Sequence, residues 1–419
     1  MKENPNTFDV IVVGGGPSGM MAAGFAAKRG LKVLLLEKNA RLGDKLMATG
    51  GGRCNITNAE EDRETLLRNY GEAKDFLYSA FAQFGVKETI HFFEDHDLPL
   101  KIEDKKRVFP KSGRATDVFQ VLEKFMNKGG VVVKSDQRVL KILTNENKII
   151  GVLVGKEKFY ADSLILATGG LSRPELGASG EGFRWLESLG HKVKKPSPDI
   201  VPLAVSENWA KELSGISLPL MKITFFVNGL KKFSKKGSLL FTHFGISGPL
   251  ILNSAKLVKP LLKEGAVTAQ IDTYPDKNIG ELEKEIIKTF DENKNKTLKN
   301  ILTEIVPNGL AKILKTLFSN FDIEKKVHSV TKIERREIVE LLKALPVTVT
   351  GLMGFDRAVV SDGGLELTEI DMKTMRSKLH PNLYVTGDLL NITRPSGGFS
   401  LQLCWTTGAI AGKNVGNSN

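Results

Sequence analysis

A glycine-rich turn between two apolar runs, close to the start of the chain, most strongly limits what this sequence can fold into. Residues 10–13 are apolar and run into Gly14, Gly16 and Gly19, which fit the pattern G-x-G-x-x-G. A segment of small residues and a second apolar run follow, and Glu37 stands after them. This order predicts strand, tight turn, helix, strand and acid, which is the βαβ unit of dinucleotide-binding proteins.

Each residue type in this turn has a physical reason. Gly14 lets the chain turn sharply off the strand, and Gly16 lacks a Cβ, so that backbone can approach a pyrophosphate. Gly19 lets the helix lie close to the sheet. Pro17 and Ser18 begin that helix, whose unpaired N–H groups and partial positive charge favour a phosphate. We therefore expect this turn to hold the diphosphate of a dinucleotide.

Glu37, followed by Lys38, indicates which dinucleotide binds. A carboxylate accepts hydrogen bonds from both hydroxyls of an adenosine ribose but repels a 2′-phosphate. The ligand expected here is therefore FAD or NAD rather than NADP. A glycine pattern alone also arises by accident, but the flanking strand, helix and acid favour a bound dinucleotide.

The length and composition of the chain predict a protein of two or three domains. It has 419 residues, of which 41% are hydrophobic and 26% charged, as in soluble globular proteins. No early segment has the pattern of a signal peptide, and no apolar run reaches the length of a membrane span. Two cysteines, Cys54 and Cys404, are too few for a disulfide framework. These features predict a cytoplasmic protein without a membrane partner.

The formal net charge is +12. Residues 196–343 hold 23 Lys and Arg against 17 Asp and Glu, which accounts for half of the excess. An excess that is spread over the chain favours solubility and a general attraction to anions. It lacks the concentrated stripe of a dedicated nucleic-acid reader, so we expect a small-molecule substrate rather than a nucleic acid. The composition does not indicate an oligomeric state.

The loop after Glu37, residues 39–58, is rich in Gly, Arg and small polar residues. Three successive glycines allow backbone to approach a flat ligand closely, and the basic side chains supply positive charge for a diphosphate. A flexible surface loop is the alternative, but the Arg-Cys-Asn sequence directly after the glycines favours an ordered one. The loop residues expected at the cofactor are Arg41, Lys45, Thr49, Gly50, Gly51, Arg53 and Cys54.

Further secondary structure follows from periodicity. A helix is predicted over residues 64–93, and another over 116–127 with Thr116 as its cap. The segment Ala167-Thr168-Gly169 then ends a strand, as it would where a sheet edge meets a cofactor. Four short apolar runs before it predict a β-meander, at residues 131–133, 139–143, 149–154 and 163–167.

Changes in residue composition and in the pattern of apolar residues divide the chain into one domain interrupted by an insert. Proline density marks a boundary, after which residues 196–344 begin with short β-like runs and become helical and Lys-rich, indicating an inserted α+β domain. Strand character returns in residues 345–419, which end in a glycine-rich turn and an apolar helix over 400–412. We therefore predict a nucleotide-binding domain built from residues 1–195 and 345–419.

Several motifs in combination resemble the BaiN-like (YhiN-type) flavoproteins of the glutathione-reductase-like FAD superfamily. They lie at residues 9–38, 50–55 (GGGRCN), 107–110 (RVFP), 167–170 (ATGG), 241–249 (FTHFGISGP) and 384–388 (YVTGD). The resemblance covers nearly the whole chain. It implies an α/β fold in which a glutathione-reductase-like FAD-binding Rossmann domain is split by an inserted domain of a small β-barrel and helices.

The resemblance implies FAD as the cofactor and extends its site to the end of the chain. Val139 is the expected backbone contact of the adenine, and Asp388, after Gly387, is the expected partner of the ribityl chain. A helix starting near Gly398 would aim its N–H groups at N1 of the flavin and stabilise the reduced anion. Its first turn carries Phe399 and Leu401.

Two positions depart from the family pattern. Gly387-Asp388 stand where relatives often have Gly-Glu, and this change keeps the carboxylate. Ser396-Gly-Gly-Phe399-Ser400 stand where relatives usually have Thr-Gly-Gly-Tyr-Asn, so a hydroxyl near the flavin is missing. These departures bear on substrate choice and leave FAD binding intact.

The family likeness implies an FAD-dependent oxidoreductase. We expect hydride transfer to or from a small, apolar organic substrate such as an enone. No second G-x-G-x-x-G follows a strand, so NAD(P)H is expected only as a transient electron donor. Two alternatives stay open: an FAD-dependent amine oxidase that uses O2, and a flavoprotein that binds or modifies RNA through its basic insert.

Few side chains qualify for catalysis. His243 is the candidate proton donor, although a single histidine is more often structural. Phe109 and Phe399 are candidates for the wall of the substrate slot. Cys54 has no C-x-x-C partner, which argues against a disulfide reductase. His91, with its acidic neighbours, does not complete a ligand set, so no metal is predicted.

Overall fold

The computed structural model describes residues 5–307 and 309–417. Their contacts divide the chain into two compact units. The first unit combines the residues up to Pro198 with those from Val359 onward, and the second is Asp199–Ala358. A segment from the middle of the sequence thus interrupts a unit that is built from both ends of the chain.

Eighteen strands and fifteen α-helices are present in the described residues, and most are short. The strands are β1 (Thr7–Val13), β2 (Val33–Leu36), β3 (Thr57–Asn58), β4 (Leu100–Glu103), β5 (Arg107–Pro110), β6 (Val132–Lys134), β7 (Val139–Asn145), β8 (Lys148–Val154), β9 (Glu157–Leu166), β10 (Val193–Asp199), β11 (Leu203–Val205), β12 (Ser217–Val227), β13 (Leu230–Thr242), β14 (Gly245–Ser247), β15 (Val267–Asp272), β16 (Leu345–Leu352), β17 (Val360–Leu365) and β18 (Leu383–Val385).

The helices are α1 (Pro17–Lys28), α2 (Asp44–Met47), α3 (Arg63–Arg68), α4 (Lys74–Gln83), α5 (Val86–Glu94), α6 (Ala115–Lys128), α7 (Glu181–Ser188), α8 (Asn208–Glu212), α9 (Pro249–Leu252), α10 (Ala255–Glu264), α11 (Ile279–Glu292), α12 (Leu298–Ile305), α13 (Leu314–Leu317), α14 (Lys332–Lys343) and α15 (Phe399–Asn414).

A seven-stranded sheet forms the centre of the first unit. Strands β6, β2, β1, β9 and β18 are parallel and lie side by side in that order. Val10, Ile11 and Val12 of β1 are fully buried, because a central parallel strand is covered on both faces. The mixed α/β fold with a Rossmann-type sheet that the sequence predicted is confirmed.

The meander prediction was right for three of its four strands. Strands β7, β8 and β9 follow one another antiparallel, as expected. Residues 131–133 do not belong to it, because β6 pairs in parallel with β2, with Val132 opposite Leu34. An apolar run alone does not identify its partner strand, so the sequence could not distinguish these two pairings.

Two helix predictions were wrong in detail. The helix predicted over residues 64–93 is three helices, α3, α4 and α5. Gly71 adopts φ +55° in the first break, and at the second Gly85 N–H donates to Glu88 Oε2, which starts a new helix. Thr116 does not cap α6, because the helix already begins at Ala115.

A closed six-stranded barrel, in the order β11, β14, β13, β12, β15 and β16, forms part of the second unit. From the sequence, the chain is expected to return to the first domain at residue 345. The second unit instead continues to Ala358, because β16 pairs with both β15 and β11 and closes the barrel. Among the described residues, no helix is both long and apolar enough to cross a bilayer.

Candidate functional site

The carboxyl ends of three parallel strands meet at one edge of the central sheet. Val13 of β1 pairs with Leu166 of β9, and Leu166 pairs with Val385 of β18. The segments that follow these strands therefore emerge side by side: Gly14 to Gly19, Ala167 to Gly169, and Thr386 to Asp388. Ligands of open parallel sheets bind at this edge.

Close backbone contact explains the first glycines. Gly14 adopts φ +109°, and a Cβ there would lie 2.5 Å from the Ala167 oxygen. A Cβ on Gly19 would lie 1.9 Å from the Gly14 oxygen, so α1 can start this near the strand only with glycine. By contrast, a Cβ on Gly16 would meet no atom within 4 Å. Gly16 leaves open space for a ligand, whereas Gly14 and Gly19 serve packing.

A cleft with about 920 Å³ of empty space, part of it open to solvent, lies at this edge. Most of the residues predicted from the sequence line it together. They are Gly14, Gly16, Pro17, Ser18, Glu37, Arg41, Lys45, Thr49, Ala167, Thr168, Gly169, Asp388 and Leu401.

A smaller cleft of about 400 Å³ of empty space is lined by two further predicted residues, Lys38 and Val139. It shares Glu37 and Thr168 with the larger cleft. Glu181 lies in its wall, where Arg138 Nε donates to its carboxylate at 2.7 Å. The two clefts thus meet at the carboxylate that was expected to bind the ribose.

Glu37 is held by backbone groups on both of its oxygens. Gly15 N–H donates to Oε2 at 2.7 Å, and Asn39 N–H donates to Oε1 at 2.8 Å. These bonds fix the carboxylate between the glycine turn and the following loop. Each carboxylate oxygen accepts more than one hydrogen bond, so Glu37 keeps capacity for two ribose hydroxyls.

Asp388 is buried beside two cations at the larger cleft. Arg394 donates to its Oδ1, and Lys45 Nζ lies 3.5 Å from its Oδ2. Burial raises the pKa of Asp388, but the charges and hydrogen bonds of Arg394 and Lys45 outweigh this effect, so the pKa is lowered. The carboxylate is therefore ionised at neutral pH and neutralises positive charge in the cleft wall.

The remaining predicted residues are not among those that line the two clefts in the described part of the chain. They are Gly19, Gly50, Gly51, Arg53, Cys54, Gly387, Gly398 and Phe399. Some have identifiable structural tasks: a Cβ on Gly387 would lie 2.8 Å from Ser18 Oγ. Phe399 packs edge-on against Tyr70, with ring centres 6.0 Å apart. Gly50 and Gly51 both adopt left-handed backbone, which glycine tolerates.

Arg53 and Cys54 are both engaged by other groups of the protein, and Cys54 is buried. Arg53 pairs with Glu103 and lies over the ring of Phe109 at 4.3 Å. Phe109 is itself buried. Burial raises the pKa of the Cys54 thiol to about 12, which makes it a poor nucleophile at neutral pH.

Helix α15 begins at a backbone crossing that only glycine permits. Gly398 adopts φ +104°, and a Cβ there would lie 2.3 Å from the Thr57 carbonyl carbon. With the Asn55 amide oriented so that its oxygen faces Gly398 N–H, that N–H donates to it at 2.9 Å, and the amide nitrogen donates to the Thr57 and Val108 carbonyls. No side chain of α15 itself caps its first turn.

Sequence reasoning missed several residues at the larger cleft. Arg394 was overlooked as a buried cation, although a charged residue in a glycine-rich turn was a usable signal. Burial and the Asp388 charge raise the pKa of Cys404 to about 12. The lining residues that the sequence did not identify are Asn39, Gly43, Asp44, Leu46, Leu176, Gly177, Ala178, Val359, Val360, Ser400 and Cys404.

His243 lies in the second unit, just after β13, and is exposed. Its ring packs edge-on against Phe244, with centres 4.8 Å apart. Its role as a proton donor stays a prediction. Among the described residues, no three His, Cys, Asp or Glu side chains form a group suited to a metal ion.

The cleft fits FAD on the structure's own evidence. Thr168 Oγ1 is buried at the wall and has no hydrogen-bond partner among the described residues. The first turn of α1 has no side-chain cap, so its N–H groups are available to a diphosphate. Open space in front of Gly16 and Gly169 admits a ligand against backbone. Fold and site together define an FAD-dependent oxidoreductase.

Similarity to known proteins supports this class. Residues 8–414 match the HI0933-like protein Rossmann domain, so the chain belongs to the HI0933-like family. A 3-dehydro-bile acid delta(4,6)-reductase of Clostridium scindens is 29% identical over 96% of this chain and 97% of its own length. A ribosomal RNA dihydrouridine synthase of Haemophilus influenzae is 28% identical over 95% and 96%. The resemblance found in the sequence is confirmed.

A solved structure supports the fold. The 3-ketosteroid-delta4-(5alpha)-dehydrogenase of Rhodococcus jostii RHA1 has a TM-score of 0.55 and 15% identity. The match covers 99% of this chain and 97% of the dehydrogenase chain. At this identity the similarity establishes the shared architecture.

Replacing Glu37 by Gln should weaken FAD binding by about 10- to 100-fold, because charged hydrogen bonds to the ribose are lost. Titration of the apoprotein with FAD, followed by flavin fluorescence, measures this. Glu366→Gln, a change away from both clefts, is the matched control and should keep the wild-type affinity. Equal affinities for wild type and Glu37→Gln would contradict the assignment.

Gly398→Ala should displace the start of α15 and lower FAD content. The new Cβ would overlap Thr57 backbone, in addition to the left-handed strain, at a combined cost of about 2–5 kcal/mol. Gly30→Ala is the matched control, because Gly30 is also left-handed (φ +85°) but has no atom near its Cβ position. Visible absorbance per chain measures the FAD content of the two variants, and urea unfolding measures their stability. Similar losses in both variants would show that contact with the Thr57 backbone is not the reason for glycine at position 398.

Asp388→Asn should destabilise the protein by about 3–5 kcal/mol, because the buried Arg394 loses its counter-charge. Urea unfolding of the FAD-free proteins measures this effect separately from cofactor binding. Asp276→Asn, which breaks an exposed pair with Lys236, is the control and should change stability little. A loss no larger than in the control would show that Arg394 does not need Asp388.

Proposed function

We propose that this protein reduces a carbon–carbon double bond that is conjugated to a carbonyl group. The observation that carries the proposal is the chemistry shared by relatives matched over nearly their full length. One is named as a delta(4,6)-reductase of a 3-dehydro compound, and another forms dihydrouridine. A ketone at position 3 conjugates with double bonds at positions 4 and 6, and the C5–C6 bond of uracil conjugates with its C4 carbonyl.

In this proposal, different residues of the cleft bind the parts of FAD and assist the reduction. Glu37 binds the adenosine ribose, and the start of α1 at Gly16 binds the diphosphate. Lys45 and the N-terminus of α15 place positive charge where negative charge develops during reduction, and Arg394 holds Asp388 in the cleft wall. When bound, FAD supplies the two-electron chemistry of the reduction.

The reaction also needs an electron donor and a proton. We propose NADH or NADPH as a transient donor, in line with the lack of a second dinucleotide motif in the sequence. His243 is the proposed proton donor, since its ring is exposed and an imidazole side chain can donate a proton. Apolar side chains in the cleft wall, including Leu46, Val360 and Leu401, limit water near the reacting bond.

A second candidate function is the reduction of uracil in RNA. The observation that favours it is the H. influenzae relative, which matches 95% of this chain. Uracil contains the same conjugated unit as an enone, so both candidates use one reaction. They differ in how the substrate reaches the cleft and in what surrounds the reacting bond.

Anaerobic reduction of the purified holoenzyme tests the proposal. NADH or NADPH should bleach the flavin within seconds. Addition of a 3-keto-4,6-diene steroid or of an unmodified ribosomal RNA transcript should restore the yellow colour. Mass spectrometry should then show the gain of two hydrogens by the steroid or by a uracil in the transcript.

Other outcomes would contradict the proposal. Bleaching by primary amines but not by nicotinamides, with O2 as the acceptor, would identify an amine oxidase. Reoxidation by O2 alone, with neither acceptor altered, would exclude reduction of a conjugated double bond. Alteration of only one acceptor selects between the two candidate substrates.

A further inference from the structure

The positive charge of the second unit is concentrated in one segment. Residues 213–263 contain eight lysines and neither aspartate nor glutamate. Residues 264–358, the rest of the unit after it, contain 15 basic and 15 acidic residues. The even spread indicated by the totals over residues 196–343 is therefore wrong on this finer scale. A soluble surface usually has charges of both signs interspersed. Solubility therefore does not explain why the lysines of residues 213–263 are separated from the acidic residues.

The fold arranges part of this segment as two rows of lysines. On α10, Lys256, Lys259 and Lys263 are spaced by three and four residues, which places them on one side of the helix. The row spans about 10 Å, given a rise of about 1.5 Å per residue. Double-stranded nucleic acid carries a phosphate charge about every 1.7 Å along its axis, so such a row faces several phosphates.

Strand β13 carries the second row beside the helix. Lys232 Nζ lies 2.8 Å from Glu264 Oε2, at the end of α10. Lys235 Nζ donates to the Asn253 carbonyl at 3.0 Å, just before the helix begins. These contacts link lysines of the strand to both ends of the helix. We call the combined surface the lysine patch: Lys231, Lys232, Lys235, Lys256, Lys259 and Lys263.

We propose that the lysine patch is a docking surface for the phosphate backbone of RNA. The inference rests on the second candidate function, uracil reduction in RNA, and assigns it a binding surface. The segment that carries these lysines, residues 213–263, holds neither aspartate nor glutamate, so its charge complements a polyanion. Phosphate contacts supply sequence-independent affinity. A long polyanion held by this surface remains associated with the protein while individual bases are sampled.

An anionic membrane is the competing partner of similar charge. Leu230 and Leu257, 71% and 45% exposed, lie within the patch. However, the apolar side of α10 is already used, because Val258 and Leu261 are buried in the core of the unit. A helix that lies in a bilayer interface needs that side free. The structure therefore favours RNA.

Fluorescence anisotropy with a labelled single-stranded RNA oligonucleotide tests the proposal on the oxidised holoenzyme. The variant K231Q/K232Q/K256Q/K263Q should bind roughly 100-fold more weakly at about 0.1 M salt, and its salt dependence should fall by a slope of about 3. The matched control K284Q/K288Q/K294Q/K296Q removes four charges from the balanced segment and should bind like wild type. FAD content and melting temperature verify that both variants fold.

The remaining outcomes overturn the proposal. Equal weakening in both variants would mean that only total charge matters. Binding of phosphatidylserine vesicles without binding of RNA would assign the patch to a membrane. Failure of the wild type to bind RNA would refute the docking surface, while its turnover of a small enone, measured separately, would leave the proposed reductase function standing.

Discussion

The close approach of helices α1 and α15 is the constraint on which the rest of the structure depends. A Cβ on Gly408 would lie 2.3 Å from the Ser18 carbonyl oxygen, and one on Gly412 would lie 2.3 Å from that of Ala22. Backbone therefore packs against backbone between the first and the last helix of the chain. This contact places the start of α15 beside the glycine turn of α1, so that both ends of the sequence form one cleft.

Buried polar groups fix this arrangement in one register. Gln402, near the start of α15, accepts from Thr57 Oγ1 at 2.6 Å, and Trp405 Nε1 donates to the Ile56 carbonyl at 2.9 Å. Asp388, in the wall of the cleft, forms an ion pair with the buried Arg394. Such groups are costly when unpaired, so a shift of α15 along its axis is disfavoured.

The sequence predicted the parts of the site that follow local rules. The turn from Gly14 to Gly19, the acid Glu37 and the strand end at Thr168 were identifiable because spacing and residue type determine their conformation. Residues that act through distant contacts were not identifiable in this way. Arg394 and Cys404 line or support the cleft only because α15 packs on α1. The four-residue spacing of Gly408 and Gly412 marks a close contact of α15 but does not identify its partner helix.

The same distinction explains the errors in the fold. Strand β16 has an apolar pattern that suits either domain, and only its pairing with β11 and β15 assigns it to the barrel. The lysine patch shows a different limit, because totals over a long segment conceal a local separation of charge. Strand pairing and the charge of short segments contain information that the composition of a long segment does not show.

The flavin content of the purified protein tests the central claim most directly. If both ends of the chain form one FAD site, the protein is yellow as isolated or after incubation with FAD, with one flavin per chain by visible absorbance. A colourless protein that binds no FAD after incubation would contradict the account.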